Sequence, residues 1–401
     1  MSCIESTVCV AGGGPAGLML GLLLARVAIQ VTVLEKHADF LRDFRGDTVH
    51  PATLEVLDQL GLADRFHALP HRKVPAIEMV QGGRRMEMAD FRLLRVRFPY
   101  LAFIPQWEFL NLLAEVGAGL PTFRLLMRSQ AHDLVRDGGR VAGVRFRDAD
   151  GEHEIRAQLT VGADGRNSAI RMAAALPSRA FGAPTDVGLF KISRRADDPD
   201  EGLCIRVGGG SVLSLIDRGS YWQASFEITK GTAPSGIEHV REQVAALAPF
   251  LADRVSEIHE LHRLDVRIDL LRRWHAPGLL CIGDAAHAMS PIGGFGVNLA
   301  IQDAVATANL LTVPLLHAQR HGTPIPPTVL AAVKRRRRQP TVAAQTLQRL
   351  IQRFGIEPAM RGDRLRQPIA GSRLVRQAMA YMVGVGLRPE RITCLPGSAD
   401  Q

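Results

Sequence analysis

The stretch VCVAGGGPAGLMLGLLLARVAIQVTVLEKH, residues 8–37, leaves this chain little freedom in how it folds. Val8, Cys9, Val10 and Ala11 form the uninterrupted apolar run of a strand buried on both faces. Gly12, Gly14 and Gly17 follow with the spacing G-x-G-x-x-G, with Pro15 and Ala16 between the last two. The first glycine permits a tight turn, the second lets a diphosphate approach the backbone, and the third lets a helix lie close on the sheet. Leu18 to Ala25 is apolar nearly all round and reads as a buried helix. Val31 to Leu34 reads as the next strand, ending at Glu35 and Lys36. An acid about 20 residues beyond the glycines is placed to bind ribose hydroxyls. Free N–H groups and the positive dipole end at the helix start favour an anion there.

Two later stretches repeat the strand-to-helix pattern. In LTVGADGRNSAIR, residues 159–171, an apolar run ends at Asp164-Gly165 and a helix is expected from about Ser168. In GLLCIGDAAHAMSPIGGFGVNLAIQDA, residues 278–304, the strand Leu279 to Ile282 ends at Gly283-Asp284. Gly293, Gly294 and Gly296 then lead toward a helix expected from about Asn298. A second loop at a helix N-terminus suits a dinucleotide with a ribityl chain. Asp284 can accept from ribityl hydroxyls, and the N–H groups from Gly296 through Val297 to Asn298 can face a flavin ring where negative charge develops on reduction.

Taken together, these motifs resemble those of the single-component FAD-dependent aromatic hydroxylases, the class A flavoprotein monooxygenases related to para-hydroxybenzoate hydroxylase. Gly12, Gly14 and Gly17, with Gly21 four residues on, resemble the dinucleotide fingerprint of FAD proteins. Asp164 and Gly165, with Arg166, Ser168 and Arg171, resemble the Asp-Gly motif. Gly283 and Asp284, continuing through His287, Pro291, Gly294, Gly296, Asn298 and Asp303, resemble the Gly-Asp motif. FRGDTVHPATLEVLDQLGL resembles the segment in which Arg45 would contact the cofactor, and FIPQWEFLNLLAE the turn whose Gln106 would reach the flavin. One departure is that Val27 and Ala28 stand where such proteins usually turn with a glycine.

The expected fold is α/β: a Rossmann-like FAD-binding domain (1–71, 100–180 and 270–340), interleaved with a substrate domain (72–99 and 181–269) and followed by a C-terminal helical segment (341–401). The substrate domain is α+β, built on an antiparallel sheet. Strands are expected at Val187 to Ser193, Leu203 to Val207, Ser211 to Ile216, Tyr221 to Ile228 and Leu264 to Leu270, with an outer helix over Glu238 to Leu251. Phe190, Leu213, Leu215, Trp222 and Phe226 are candidates for pocket wall or core, core being the safer assignment for each.

At 401 residues, 46% hydrophobic and 22% charged, the chain can bury a large core. Its five cysteines form no C-x-x-C pair, and no apolar run is long enough for a membrane span, so a reduced cytoplasmic protein is expected. The net charge of +9 raises the question of nucleic acid. The densest cluster, Lys334 to Arg338, precedes Pro340 and reads as a solvated helix end rather than a nucleic-acid site. Isolated histidines give no metal site.

The resemblance implies that NADH or NADPH reduces FAD, that a C4a-hydroperoxide forms with oxygen, and that it hydroxylates a hydrophobic aromatic or polyketide-like molecule. Pro291 would border the ring, and Arg45 would assist either cofactor binding or nicotinamide docking. The assembly implied is a monomer or homodimer without integral membrane contact. The alternative is an FAD-dependent dehydrogenase or reductase without oxygen insertion. A flavin halogenase is disfavoured because the only tryptophans, Trp107, Trp222 and Trp274, do not form W-x-W-x-I-P. No general base is identifiable, and Arg194, Arg195 and Arg206 leave open whether the substrate is anionic.

Overall fold

A computed structural model describes residues 3–41, 48–231, 236–363 and 372–395. The apolar run at the N-terminus is the centre of the first sheet. Strands β1 (Cys3–Ala11), β2 (Val31–Leu34), β8 (Phe123–Leu126), β11 (Gly151–Gly162) and β20 (Leu279–Cys281) lie parallel in the order β20-β11-β1-β2-β8. The strands β9 (Gln130–Asp137), β10 (Arg140–Asp148) and β19 (His275–Ala276) add antiparallel margins. Val8 to Ala11 are fully buried because helices cover both faces. Helix α1 (Pro15–Arg26) is buried from Ala16 to Ala25, as its all-round hydrophobicity requires.

The departure after this helix has a structural consequence. Ala28 adopts the left-handed conformation at φ 61°, doing with a side chain what a glycine does without strain. Its carbonyl accepts from Gln319 Nε2 at 3.0 Å, which helps hold the turn.

A short sheet joins β3 (Thr48–Val49), β7 (Leu101–Phe103) and β4 (Arg72–Val74), and a second pairs β12 (Ser178–Ala180) with β18 (Asp269–Leu271). The large second sheet runs β17-β13-β16-β15-β14-β5-β6. Its strands are β17 (His262–Leu264), β13 (Thr185–Ser193), β16 (Tyr221–Thr229), β15 (Ser211–Asp217), β14 (Leu203–Gly208), β5 (Ala76–Gln81) and β6 (Arg84–Asp90). It is antiparallel except where β14 meets β5 in parallel, so the early hairpin joins by its edge. The strand expected over Leu264 to Leu270 is divided between β17 and β18, which belong to different sheets.

Helices α2 (Pro51–Gln59), α3 (Ala63–His67), α4 (Gln106–Ala118) and α5 (Ala169–Ala173) flank the first sheet, and α6 (Ile237–Leu247) covers the outside of the second. Phe190, Leu213, Leu215, Trp222 and Phe226 are all packed with Val240 and Val244 of α6. They are core rather than pocket wall. The C-terminal part contains α7 (Phe295–His321), α8 (Pro327–Ile351), a π-helical turn at Gln352–Ile356, α9 (Glu357–Met360) and α10 (Arg373–Gly384). Helix α7 begins at Phe295, not near Asn298, because Gly294 takes the left-handed N-cap position.

The basic run needs a correction. Helix α8 passes through Pro340 without ending, so Lys334 to Arg338 lie inside it and not at its C-terminus. Buried Leu330, Val333, Arg337, Thr341, Ala344 and Gln348 form one stripe of this helix. Core packing along that stripe offsets the backbone hydrogen bond that proline removes, a loss of about 3 kcal/mol in an isolated helix.

Candidate flavin site

The first glycine loop is shaped by contact. Gly12 has φ 111°, and a Cβ there would lie 2.4 Å from the Ala163 carbonyl oxygen. A Cβ on Gly17 would lie 1.9 Å from the Gly12 carbonyl oxygen. Gly14 differs, since a Cβ there would meet no atom within 4 Å. The middle glycine thus borders open space at the uncapped N-terminus of α1, as a diphosphate requires. Glu35 ends β2 beside this loop. Its Oε2 accepts from Gly13 N at 3.1 Å and its Oε1 from His37 N at 3.0 Å. Lys36 is exposed beside it.

The Asp-Gly loop abuts the first loop but uses its carboxylate inwardly. Asp164 accepts from the Ser168 hydroxyl and from Ile170 N at 3.2 Å, capping α5, while burial pushes its pKa up. Its contribution is to shape the backbone against which Gly12 is pressed. Arg166 projects from the same loop, its Nη2 3.9 Å from Asp284 Oδ2.

The Gly-Asp loop packs against the start of α1. Gly283, at φ 58°, is wedged where a Cβ would come within 3.2 Å of Ala16 and 3.4 Å of Ala300. This brings Asp284 to the mouth of α7, with its Oδ1 3.9 Å from the position of a Cβ on Gly296. Gly293 and Gly294 are both left-handed, at φ 75° and 64°, a consecutive pair that only glycine adopts easily. They turn the chain so that α7 starts without a side-chain cap, leaving its first N–H groups, around Gly296 and Val297, to a ligand. Pro291 is exposed at the lip of this turn, and its carbonyl accepts from Gly294 N at 2.9 Å. Gln106 opens α4 and is half-buried. Arg45 lies outside the described residues.

Asn298 holds the loop rather than presenting its side chain to a ligand. Its Oδ1 accepts from His50 N and the Thr53 hydroxyl, each at 2.8 Å, and its Nδ2 donates to the Thr48 and Gly294 carbonyls. His50 is kept neutral by burial, which pushes its pKa down to about 4 against hydrogen bonds to Val383 and Gly293.

Beneath the Gly-Asp loop lies a buried charge network that motif reading alone did not resolve. Asp303 Oδ2 accepts from Gly283 N at 3.0 Å and meets His287 Nε2 at 2.6 Å. Asp303 Oδ1 accepts from Arg337 Nε at 3.0 Å, and Arg337 Nη1 reaches Glu390 at 3.3 Å. Burial pushes the Asp303 carboxyl up, but the His287 and Arg337 charges and the Gly283 N–H hold it below the ordinary carboxylate range. His287 is therefore a structural partner. The turn bearing Pro291 is clasped from α8 as well. Gln345 Nε2 donates to the Asp269 and Ala288 carbonyls, and Gln348 Nε2 donates to those of Ser290 and Ile292 at 2.7 Å each. The sequence carried no local signal for Arg337, since the buried stripe of α8 that takes it in shows only once the helix is packed.

Two uncapped helix N-termini and an open glycine, brought together where Gly283 meets Ala16 and with Asp284 beside them, fit an extended dinucleotide. A family model described as an FAD binding domain matches residues 5–323. The chain belongs to the FAD-dependent aromatic hydroxylases. It is 33% identical over 353 residues to a 6-methylpretetramide 4-monooxygenase from Streptomyces rimosus, covering 86% of this chain and 83% of that protein. A Bacillus subtilis protein named as an uncharacterized aromatic compound monooxygenase is 26% identical, covering 74% of this chain and 59% of its own length. The solved anhydrotetracycline hydroxylase OxyS from Streptomyces rimosus shares the fold, with a TM-score of 0.76 and 24% identity, over 95% of this chain and 76% of that one. The enzyme is an FAD-dependent monooxygenase, and the alternative of a flavin dehydrogenase without oxygen insertion is set aside.

Among the described residues, one helix is long and apolar enough to cross a membrane, Ile292–His321, and it is mostly buried in the core. No group of three or more metal-ligating side chains occurs among them.

Proposed function

We propose that this hydroxylase acts on a neutral, fused-ring aromatic molecule of polyketide type, consuming O2 and NAD(P)H. The observation that carries the reading is the inner face of the second sheet. Leu203, Ile205, Ser214, Ile216 and Ser225 alternate with fully buried outer-face residues, yet each stays only partly covered. Leu203, Ile205 and Ile216 pack toward Met289 and Leu347, which flank the Pro291 turn. These apolar side chains form the face of the sheet turned toward the Pro291 turn, beside the uncapped N-terminus of α7. The arginines that would argue for an anionic substrate are already neutralised. Arg206 is paired with Glu201, Arg194 with Asp217 and Arg195 with Asp253.

FAD, when bound, accepts hydride from NAD(P)H and activates oxygen for insertion. One oxygen atom enters the substrate C–H bond and the other leaves as water, with NAD(P)H and a proton supplying the reducing equivalents. Gly12, Gly14 and the α1 N-terminus would hold the diphosphate, and Asp284 the ribityl chain. The N–H groups of Gly296 and Val297 would face the flavin carbonyl, where negative charge grows. A substrate held against this apolar face would be screened from water at the reacting centre. Pro291 would border the ring, and Arg45 would contribute to cofactor or nicotinamide binding.

The test is incubation with NADPH or NADH, 18O2 and candidate substrates, starting with 6-methylpretetramide and anhydrotetracycline. A product heavier by one 18O atom supports the reading. NAD(P)H oxidation without oxygenated product from any fused-ring candidate refutes it.

A further inference from the structure

The inner face of the second sheet holds one carboxylate that the chemistry above does not use. Along β16, Trp222, Ala224, Phe226 and Ile228 are buried beneath α6, while Ser225 and Glu227 have the opposite parity and are partly covered. Ser225 faces Leu189 of β13 and Ser214 of β15, and Glu227 faces Val187. The Thr185 hydroxyl hydrogen-bonds to the Glu227 carboxylate and receives Gln352 Nε2 at 3.2 Å. Gln352 lies one helical turn beyond Gln348, which clasps the Pro291 turn. A polar line therefore runs from the flavin-facing turn along α8 to Glu227.

The other oxygen of Glu227, Oε2, is buried and has no hydrogen-bond partner. Asp217 Oδ2 is also without a hydrogen bond, but it lies 2.9 Å from Arg72 and 3.0 Å from Arg194. Among the described carboxylates, Glu227 is alone in burying an oxygen with neither hydrogen bond nor ion pair. A buried acceptor without a donor is costly, and a native structure tends to keep one only where something arrives to satisfy it.

The position of Glu227 along the strand defines what arrives. Gln223, four residues earlier on the same face, pairs with Arg218, whose guanidinium lies over Phe103. Phe103 pairs with Thr48, and Thr48 contacts Gly294 at the flavin turn. Gln223, at the end of this face linked to the flavin turn, and Glu227 thus lie roughly 13 Å apart along the strand. One aromatic ring at the flavin does not span that distance, whereas a fused polycycle does.

We propose that Glu227 is a specificity-determining residue whose Oε2 accepts a hydrogen bond from a hydroxyl on the ring of a polycyclic substrate farthest from the flavin. The assignment rests on the hydroxylase reading and adds to it the polarity and place of one substrate group. The charged group on β13 that acts on Glu227 is Asp186, which points to the opposite face of the sheet and is held by Lys230 and Arg263, and the group reaching Thr185 from beyond α8 is the neutral Gln352. Burial, with a further push from Asp186 against the Thr185 hydrogen bond, raises the Glu227 pKa to about 7.

The test titrates 2-hydroxyanthracene and 2-methoxyanthracene into the FAD-loaded enzyme, read by flavin absorbance. The wild type is expected to prefer the hydroxyl probe at least tenfold, and increasingly as pH rises through about 7 and Glu227 ionises. Glu227→Leu abolishes the preference. Glu227→Gln keeps a neutral acceptor, retains part of the preference and loses its pH dependence. A preference unchanged in Glu227→Leu overturns the proposal, as does a wild type that binds neither probe or both equally. If both variants fail to load FAD, a wild-type preference that is flat in pH overturns it. Failure of the underlying reading shows differently, as NAD(P)H consumption with no 18O-labelled product from any fused-ring substrate.

Discussion

Substituting Arg337 by methionine separates the buried reading of the basic run from the solvated one. Arg337 is 1% exposed, and its Nε donates to a carboxylate, Asp303, that is fully buried. Removing one partner of such a pair leaves the other charged and uncompensated, at a cost of about 3–5 kcal/mol. The adjacent Arg336 pairs with the same Glu390 but is 44% exposed, so Arg336→Met should cost about 1 kcal/mol or less. Asp303 also fixes Gly283 N, so the loss should reach the cofactor, and Arg337→Met should retain less FAD through gel filtration. Urea unfolding followed by circular dichroism, with and without FAD, measures both effects. Asp303→Asn combined with Arg337→Met should recover part of the loss, because the Asp303 carboxylate is then no longer buried without its guanidinium. The sign with pH is also fixed. The folded Asp303 pKa is depressed, so its contribution is intact above the usual carboxylate value of about 4 and is lost as pH falls through the lower folded value. The variant should therefore unfold at higher pH on acidification. Equal costs for Arg336→Met and Arg337→Met would refute the network and restore a helix that ends at Pro340.

Three further outcomes are expected. Gly14→Ala should leave the unfolding midpoint of the flavin-free protein unchanged, since its Cβ meets nothing within 4 Å, yet weaken FAD binding at least tenfold by fluorescence titration; unaltered FAD affinity would show that the diphosphate does not approach there. Ala28→Gly should stabilise the fold by about 1 kcal/mol, the relief of left-handed strain less the added chain entropy, and a destabilised variant in thermal unfolding would contradict it. Glu227, with a folded pKa raised to about 7, binds a proton more readily folded than unfolded, so its effect on stability is unfavourable as pH rises from about 4.5 to 7 and stays so above. Glu227→Gln should then be more stable than wild type above pH 7 by about 2 kcal/mol, allowing for its partial exposure, and equal to it near pH 4; a constant difference across that range would exclude the titration.

The sequence was most legible where backbone geometry demands a residue type. Gly12, Gly17, Gly283, Gly293 and Gly294 stand where a Cβ clashes or φ is positive, and each belonged to a motif visible in the chain. Alternation located the strands of the second sheet because one face is packed under α6. It said nothing about the other face, where Ser214, Ser225 and Glu227 read as ordinary solvent-side residues of a two-faced sheet. Asp164 shows a different limit. A carboxylate after a strand suits a ligand or a helix cap equally well, and only the Ser168 and Ile170 contacts show where this one points. The basic run misled because proline is a strong stop signal locally, while the stripe from Leu330 to Gln348 is a tertiary signal, meaningful only once α8 has a surface to cover.

That surface is the underside of the flavin loops. The family match ends at residue 323, before α8 begins at Pro327, and every named motif lies on the matched side. Yet the backbone of those motifs is held from α8. Arg337 acts on Gly283 through Asp303, Gln345 on the Ala288 carbonyl, and Gln348 on the carbonyls either side of Pro291. Loops rich in left-handed glycine have few side chains with which to fix themselves, so their geometry must be imposed by neighbours. Buried donors on a rigid helix do this with direction as well as contact, which apolar packing alone does not. The same stripe continues through Gln352 to Thr185 and Glu227, so the helix that clasps the Pro291 turn also leads to the inner face of the second sheet. A change on that face of α8 should therefore move the Pro291 turn and the surroundings of Glu227 together.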